Sequence, residues 1–154
     1  MKPVYMINGF LESGKTEFIT YTLAQPYFQV RGKTLLILCE EGENEYDPVL
    51  LRQSRTVLEL IDGEEEFTPN HLIELEKKHK PERIIIEFNG MWNYKEMKLP
   101  WHWKIEQQIT TIDASTFPMY FTNMKSLLAE QIRKSELIIF NLSLIHISEP
   151  TRPY

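Results

Sequence analysis

The sequence is poor in cysteine and has no excess of positive charge. Cys39 is the single cysteine among 154 residues, so the chain can form neither an internal disulfide nor a cysteine-cluster metal site. Lys and Arg number 17 against 22 Asp and Glu, and the resulting net charge of −5 argues against a broad surface for nucleic acid or anionic lipid. No apolar run approaches the ~20 residues of a membrane helix, and no leader pattern opens the chain. We therefore expect a cytoplasmic protein with neither nucleic acid nor membrane as partner.

The apolar patterns that are present alternate between strand type and helix type. Continuous or β-branched runs predict strands at residues 3–8, 34–39, 83–87, 110–114 and 137–141. Helical spacing of apolar residues lies between them, at residues 14–29 and 118–134, and Thr68-Pro69 before LIELEKKHK is typical of a helix start. This alternation predicts an α/β domain with a mainly parallel sheet covered by helices on both faces.

Residues 9–16, GFLESGKT, satisfy the phosphate-loop pattern G-x-x-x-x-G-K-[ST] between a predicted strand and a predicted helix. Gly9 and Gly14 would let backbone N–H groups turn toward phosphate, Lys15 would contact the β- and γ-phosphates, and the Thr16 hydroxyl would bind Mg²⁺. Ser13 and Glu12 belong to the same predicted nucleotide-binding loop, although the Glu12 carboxylate would repel phosphate unless it points outward or meets a cation. The alternative is a chance match in an ordinary strand-loop-helix turn.

Carboxylates follow two other predicted strands. The segment CEEGENEYD, residues 39–47, has five acidic residues that could bind a divalent ion, or could simply form a solvated loop. Glu87 ends the run RIIIE and precedes Gly90, so its carboxylate could polarise an attacking water or hold the Mg²⁺ water shell. Lys15 and Glu87 are the predicted catalytic residues, and a solubilising charge at a strand end is the alternative for Glu87.

These segments resemble, in order, the blocks of the CobW/HypB/UreG group of GTPases. GFLESGKT is similar to GFLGSGKTT, CEEGENEYD to NEFGEVGID, IEFNG to IETTG, TIDA to the later VDA strand, and EQIRKSELIIFN to Q-I-x-x-A-D-x-I-V-L-N. The resemblance implies a P-loop NTPase with three α/β/α layers that hydrolyses GTP with Mg²⁺ to switch conformation. It places Glu43 and Asp47 in a first switch near the metal, and Glu87 with Gly90 in a second. It also implies a metalloprotein or cofactor-assembly partner.

Two departures from the family pattern limit what the resemblance implies. Asn141 aligns with the first residue of the guanine-selecting N-K-x-D motif, but Leu142, Ser143 and Leu144 follow it, so guanine and adenine both stay open. Residues 62–67, DGEEEF, stand where CobW-type metallochaperones have C-x-C-C, so a zinc-type thiolate site cannot form there. A P-loop ATPase or small-molecule kinase, and a non-catalytic nucleotide-binding regulator, are the alternative functions.

The end of the chain reads differently from the rest. SLIHISEPTRPY, the last twelve residues, resembles translated adaptor sequence. We therefore interpret residues 1–141 as the N-terminal part of a P-loop GTPase domain, incomplete at its C-terminal end, and residues 142–154 as a non-native tail.

Overall fold

The computed structural model of the chain describes residues 1–9, 14–39, 46–113 and 137–141. Strands and helices alternate through these residues. The strands are β1 (Lys2–Asn8), β2 (Thr34–Leu38), β3 (Thr56–Leu60), β4 (Arg83–Glu87), β5 (Trp103–Asp113) and β6 (Leu137–Asn141). The α-helices are α1 (Lys15–Leu23), α2 (Pro48–Gln53) and α3 (Pro69–His79), and short 3₁₀ turns occupy Pro26–Phe28, Glu64–Glu66 and Tyr94–Glu96.

The described strands form one sheet in the order β3-β2-β4-β1-β5-β6, and every neighbouring pair is parallel. Parallel pairing places the carboxyl ends of all these strands at the same edge of the sheet. At that edge the register sets Glu87 opposite Ile7 on one side and opposite Leu38 on the other. The end of β4 therefore lies directly beside the end of β1, from which the predicted phosphate loop departs.

Helices cover both faces of the sheet, which gives three layers. On one face, Leu72 and Leu75 of α3 pack in a buried cluster with alternate residues of the central strands, including Met6 and Ile86. On the other face, α1 contributes Ile19 and Leu23 to a second buried cluster, against which residues of α2 also pack. The predicted α/β fold of P-loop NTPase type is confirmed.

The two continuous apolar runs are buried strands, as predicted. All five residues of β4 and four of the five residues of β2 are buried. β5 is longer than predicted, because its first half, WKIEQQI, mixes polar and apolar residues and does not form a continuous apolar run. A register shift between Val4 and Tyr5 of β1 leaves one extra residue on β5 at this point, as in a β-bulge. Ala114, the last residue of that predicted strand, lies outside the described residues.

The helix predicted within residues 14–29 is shorter than expected. α1 ends at Leu23 and Pro26 begins a 3₁₀ turn, because proline has no N–H to continue the helical hydrogen bonding. α2 was not predicted, although Asp47-Pro48 is a recognisable start, with a capping carboxylate followed by proline at the first helical position. None of the helices in the described ranges is long and apolar enough to cross a membrane. The predicted helix at 118–134 and the tail at 142–154 fall outside those ranges.

The start of α3 was predicted correctly and offers a test of the fold. The exposed Thr68 caps the helix, because its Oγ1 accepts a hydrogen bond of 3.2 Å from the His71 backbone N–H. We expect Thr68→Ala to lower the free energy of unfolding by about 1 kcal/mol, measured by denaturant titration. Thr68→Ser keeps the hydroxyl and should lose much less; equal losses for the two variants would contradict the capping role.

Candidate functional site

The predicted phosphate loop begins and ends at glycines with unusual backbone angles. Gly9 follows β1 with φ 137°, and Gly14 precedes α1 with φ 98°. Both angles lie where residues with a Cβ are strained, which explains the glycines of the motif. Residues 10–13 between them lie outside the described part of the chain, so the roles of Glu12 and Ser13 stay predictions. The described ends place the loop at the carboxyl edge of the sheet, where α1 begins at Lys15.

Lys15 is held inside the site. It is only 4% exposed, and its Nζ donates hydrogen bonds to the backbone carbonyls of Gly9 and Phe88, the latter at 3.2 Å. A buried ammonium is stable only when such acceptors replace its water. The two carbonyls come from the residues that follow β1 and β4. The ammonium therefore lies between the loop and the end of β4.

Thr16 and Glu87, both predicted site residues, are in direct contact. The Thr16 hydroxyl donates a 2.7 Å hydrogen bond to Oε1 of Glu87. Glu87 is buried, with 5% exposure, so its position at the end of a strand does not serve solubility. The contact joins the first turn of α1 to the carboxyl end of β4, and it brings a hydroxyl and a carboxylate into one small region.

Tyr46 is a site residue that sequence reasoning missed. Its phenol donates a 3.3 Å hydrogen bond to the second oxygen of Glu87, Oε2, and its ring packs in the same buried cluster as Ile7 and Ile19. Burial, and then the negative charge of Glu87, raise the pKa of the Tyr46 phenol well above its ordinary value. The hydroxyl therefore stays protonated and serves as a donor. No spacing in the sequence indicates this contact between residues 41 positions apart.

An aromatic cluster supports the backbone at Phe88. The rings of Phe67, Phe88 and Trp92 meet edge to face with centroid distances of 5.5 to 6.0 Å, and all three residues are buried. Such pairs favour defined ring positions. The cluster therefore fixes the residue whose carbonyl accepts from Lys15. Trp92 belongs to the buried core of the domain.

The remaining predicted residues are spread along the same edge. Gly90 is buried in the turn after β4, where Asn89 accepts hydrogen bonds from the backbone N–H groups of Met91 and Trp92. Asp47 caps α2, its Oδ1 accepting from the Val49 N–H at 2.9 Å, so its metal role stays a prediction. Asn141 ends β6 opposite Asp113, two strands away from β1. Glu43 lies outside the described residues.

The acidic turn that replaces C-x-C-C has another role in the described structure. Residues 64–66 form a 3₁₀ turn, and Oε2 of Glu64 accepts a 2.9 Å hydrogen bond from the Asn93 backbone N–H. Cys39 is buried in the same core cluster as Leu72 and Leu75 of α3. Among the residues that the structure describes, no group of three His, Cys, Asp or Glu side chains could hold a metal ion.

The described site fits a nucleotide with Mg²⁺ in its donor chemistry. Mg²⁺ prefers oxygen ligands and usually keeps several waters, taking one or two groups from the protein and others from phosphate. The Thr16 hydroxyl beside the Glu87 carboxylate provides such oxygens, so a cage of three protein carboxylates is not required. Lys15 and the start of α1 provide positive charge for the phosphates.

These features together define a P-loop nucleotide-binding protein. A strand is followed by two loop glycines with positive φ and then by a helix. The helix begins with Lys15 and Thr16, and Thr16 contacts a carboxylate on the adjacent strand. The family model of the CobW/HypB/UreG nucleotide-binding domain matches residues 3–143, and the chain belongs to that family. The resemblance noted in the sequence is thereby confirmed. No curated protein and no solved structure matches the chain.

Proposed function

We propose that this chain binds GTP together with Mg²⁺ at residues 9–16 and hydrolyses it, using the change in bound phosphate to alter the segments around Glu87 and Asp47. One observation carries the proposal: the buried ammonium of Lys15 lies beside the Thr16–Glu87 pair at the edge of the sheet. Family membership supports the choice of a nucleoside triphosphate as ligand.

Lys15 is the proposed phosphate ligand. Its partners in the described structure include two neutral carbonyl oxygens, those of Gly9 and Phe88. Anionic phosphate oxygens form stronger, charge-assisted hydrogen bonds with an ammonium than carbonyls do. Lys15 therefore gains from exchanging these partners for the β- and γ-phosphates, and this exchange would release the backbone of Phe88.

Thr16 is the proposed protein ligand of Mg²⁺, with Glu87 holding its hydroxyl in place. Because the Thr16 hydroxyl donates its hydrogen bond to Glu87, the lone pairs of the Thr16 oxygen stay available to a metal ion. Mg²⁺, when bound, would neutralise the charge that develops on the phosphate oxygens during transfer of the γ-phosphoryl group. Of the two roles predicted for Glu87, this contact supports positioning of the Mg²⁺ shell.

The cellular role is proposed from the family. We infer that nucleotide turnover is coupled to a metalloprotein or cofactor-assembly partner, as the resemblance to CobW-type GTPases implies. Adenine nucleotides are the competing ligands to test, because Leu142, Ser143 and Leu144 replace the residues expected after Asn141. A GTP affinity well above that for ATP would support guanine selection by the chain.

Substitution of Lys15 tests the phosphate site. We expect Lys15→Ala to weaken Mg²⁺-dependent GTP binding by about 100-fold or more, because several charge-assisted hydrogen bonds are lost. Binding is measured by calorimetry or with a fluorescent GTP analogue, with ATP as competitor. The matched control is Lys77→Ala, which removes an exposed lysine of α3 and should leave affinity unchanged. Equal affinity of Lys15→Ala and the unsubstituted chain would remove the assignment.

Substitution of Glu87 separates metal positioning from nucleotide binding. Glu87→Gln keeps the shape but loses the charge, and we expect phosphate release from GTP to fall by roughly 10- to 100-fold, as when a residue that orients a metal ligand is replaced. Binding of GTP in EDTA should change little. Glu74→Gln, at an exposed position of α3, is the control. Undiminished hydrolysis by Glu87→Gln would show that the carboxylate has no part in turnover.

A further inference from the structure

Glu87 is held from two sides by two hydroxyl groups. Oε1 accepts from Thr16 at 2.7 Å and Oε2 accepts from Tyr46 at 3.3 Å. Thr16 belongs to the phosphate-loop helix, whereas Tyr46 precedes α2. A carboxylate with one donor on each oxygen loses freedom to rotate about its terminal bond. Both residues therefore contribute to the orientation of the Glu87 carboxylate.

Tyr46 is itself firmly anchored. Its ring is 8% exposed and packs with Ile7, Ile19 and Ile85, which belong to β1, α1 and β4. The next residue, Asp47, caps α2 through its hydrogen bond with the Val49 N–H. Tyr46 is thus fixed by packing on one side and by the start of a helix on the other. An anchored phenol can orient a carboxylate, which a mobile surface tyrosine could not do.

The negative charges near Tyr46 also favour a phenol that donates a hydrogen bond to Glu87. The carboxylates of Glu87 and Glu17 both act on the phenol, and together with burial they raise the pKa of Tyr46. The phenol is therefore a neutral donor next to a buried anion, which stabilises the anion through a charge-assisted hydrogen bond. Tyr46 and Thr16 are consequently joined through the buried carboxylate of Glu87.

We propose that Tyr46 is a positioning residue for the Mg²⁺ site: its hydroxyl holds Glu87 in the orientation in which the carboxylate accepts the hydrogen bond from Thr16 and leaves the lone pairs of the Thr16 oxygen for the metal. This inference rests on the proposed function. It assigns to Tyr46 an effect on Mg²⁺-dependent binding of nucleotide, with no contact to the nucleotide itself. It also connects the start of α2 with the end of β4.

The test is Tyr46→Phe in the full chain, which keeps the ring and its packing and removes only the hydroxyl. We expect the Mg²⁺ concentration for half-maximal GTP binding to rise by about five- to tenfold, the net value of one ordinary hydrogen bond. Affinity for GTP in EDTA should stay within about twofold, within the error expected for an absent interaction. Both are measured with a fluorescent GTP analogue. Tyr21→Phe, at an exposed position of α1, is the matched control.

A double-mutant cycle with Glu87→Gln tests whether Tyr46 acts through Glu87. In the Glu87→Gln background, Tyr46→Phe should change the Mg²⁺ requirement by less than about twofold, because the group that it positions is no longer a carboxylate. An unchanged Mg²⁺ requirement in the single variant, or the same effect in both backgrounds, would overturn the inference while the proposed function stands. Absence of GTP binding by the unsubstituted chain with Mg²⁺ would instead overturn the proposed function.

Discussion

Thr16 and Glu87 are 71 residues apart in the chain, and the hydrogen bond of 2.7 Å between them holds the candidate site together. It joins the helix that leaves the phosphate loop to the strand that lies next to β1 in the sheet. The ammonium of Lys15 joins the same two parts of the fold, since it donates hydrogen bonds to the carbonyl that follows β1 and to the carbonyl that follows β4. Because the Lys15 ammonium and the Glu87 carboxylate are buried, each must find a partner within the protein. Hydrogen bonds within the protein therefore hold the described side chains of the site in place.

This arrangement depends on the order of the strands. β1 and β4 are separated by two other strands along the chain, yet they are neighbours in the sheet, with Ile7 opposite Glu87. If β4 lay one position farther from β1, a side chain of glutamate length could not reach the Thr16 hydroxyl, since neighbouring strands are about 4.8 Å apart. The buried runs of β2 and β4 secure this order. The fold thus brings distant charged residues to one edge, and a ligand must compete with protein partners that are already in place.

Much of the fold could be predicted from residue patterns. The continuous apolar runs of β2 and β4, and the Thr68-Pro69 start of α3, each carry a local physical cause. The first half of β5 was missed because its polar residues interrupt the apolar pattern, and the end of α1 was misplaced because Pro26 outweighs the apolar spacing. In the first case pairing with a neighbouring strand, and in the second a single proline, determines the structure in place of the apolar spacing. The helix predicted at 118–134 falls in residues that the structure does not describe.

Part of the candidate site, too, could be predicted from the sequence and part could not. Gly9, Gly14, Lys15 and Thr16 could be named from the spacing of one motif, because phosphate binding demands those residue types in that order. Tyr46 could not, since its role depends on a contact across the fold and on burial. The carbonyls of Gly9 and Phe88 have no sequence signature at all, because every residue has a carbonyl. Backbone groups and long-range contacts are thus the part of the site that requires a structure.

The most direct measurement of the central claim is a crystal structure of the chain with a non-hydrolysable GTP analogue and Mg²⁺. We predict phosphate oxygens within hydrogen-bonding distance of Lys15 Nζ and of the first N–H groups of α1, with the Thr16 oxygen about 2.1 Å from the metal ion. Nucleotide bound elsewhere, with Lys15 still bonded to the carbonyls of Gly9 and Phe88, would contradict the account.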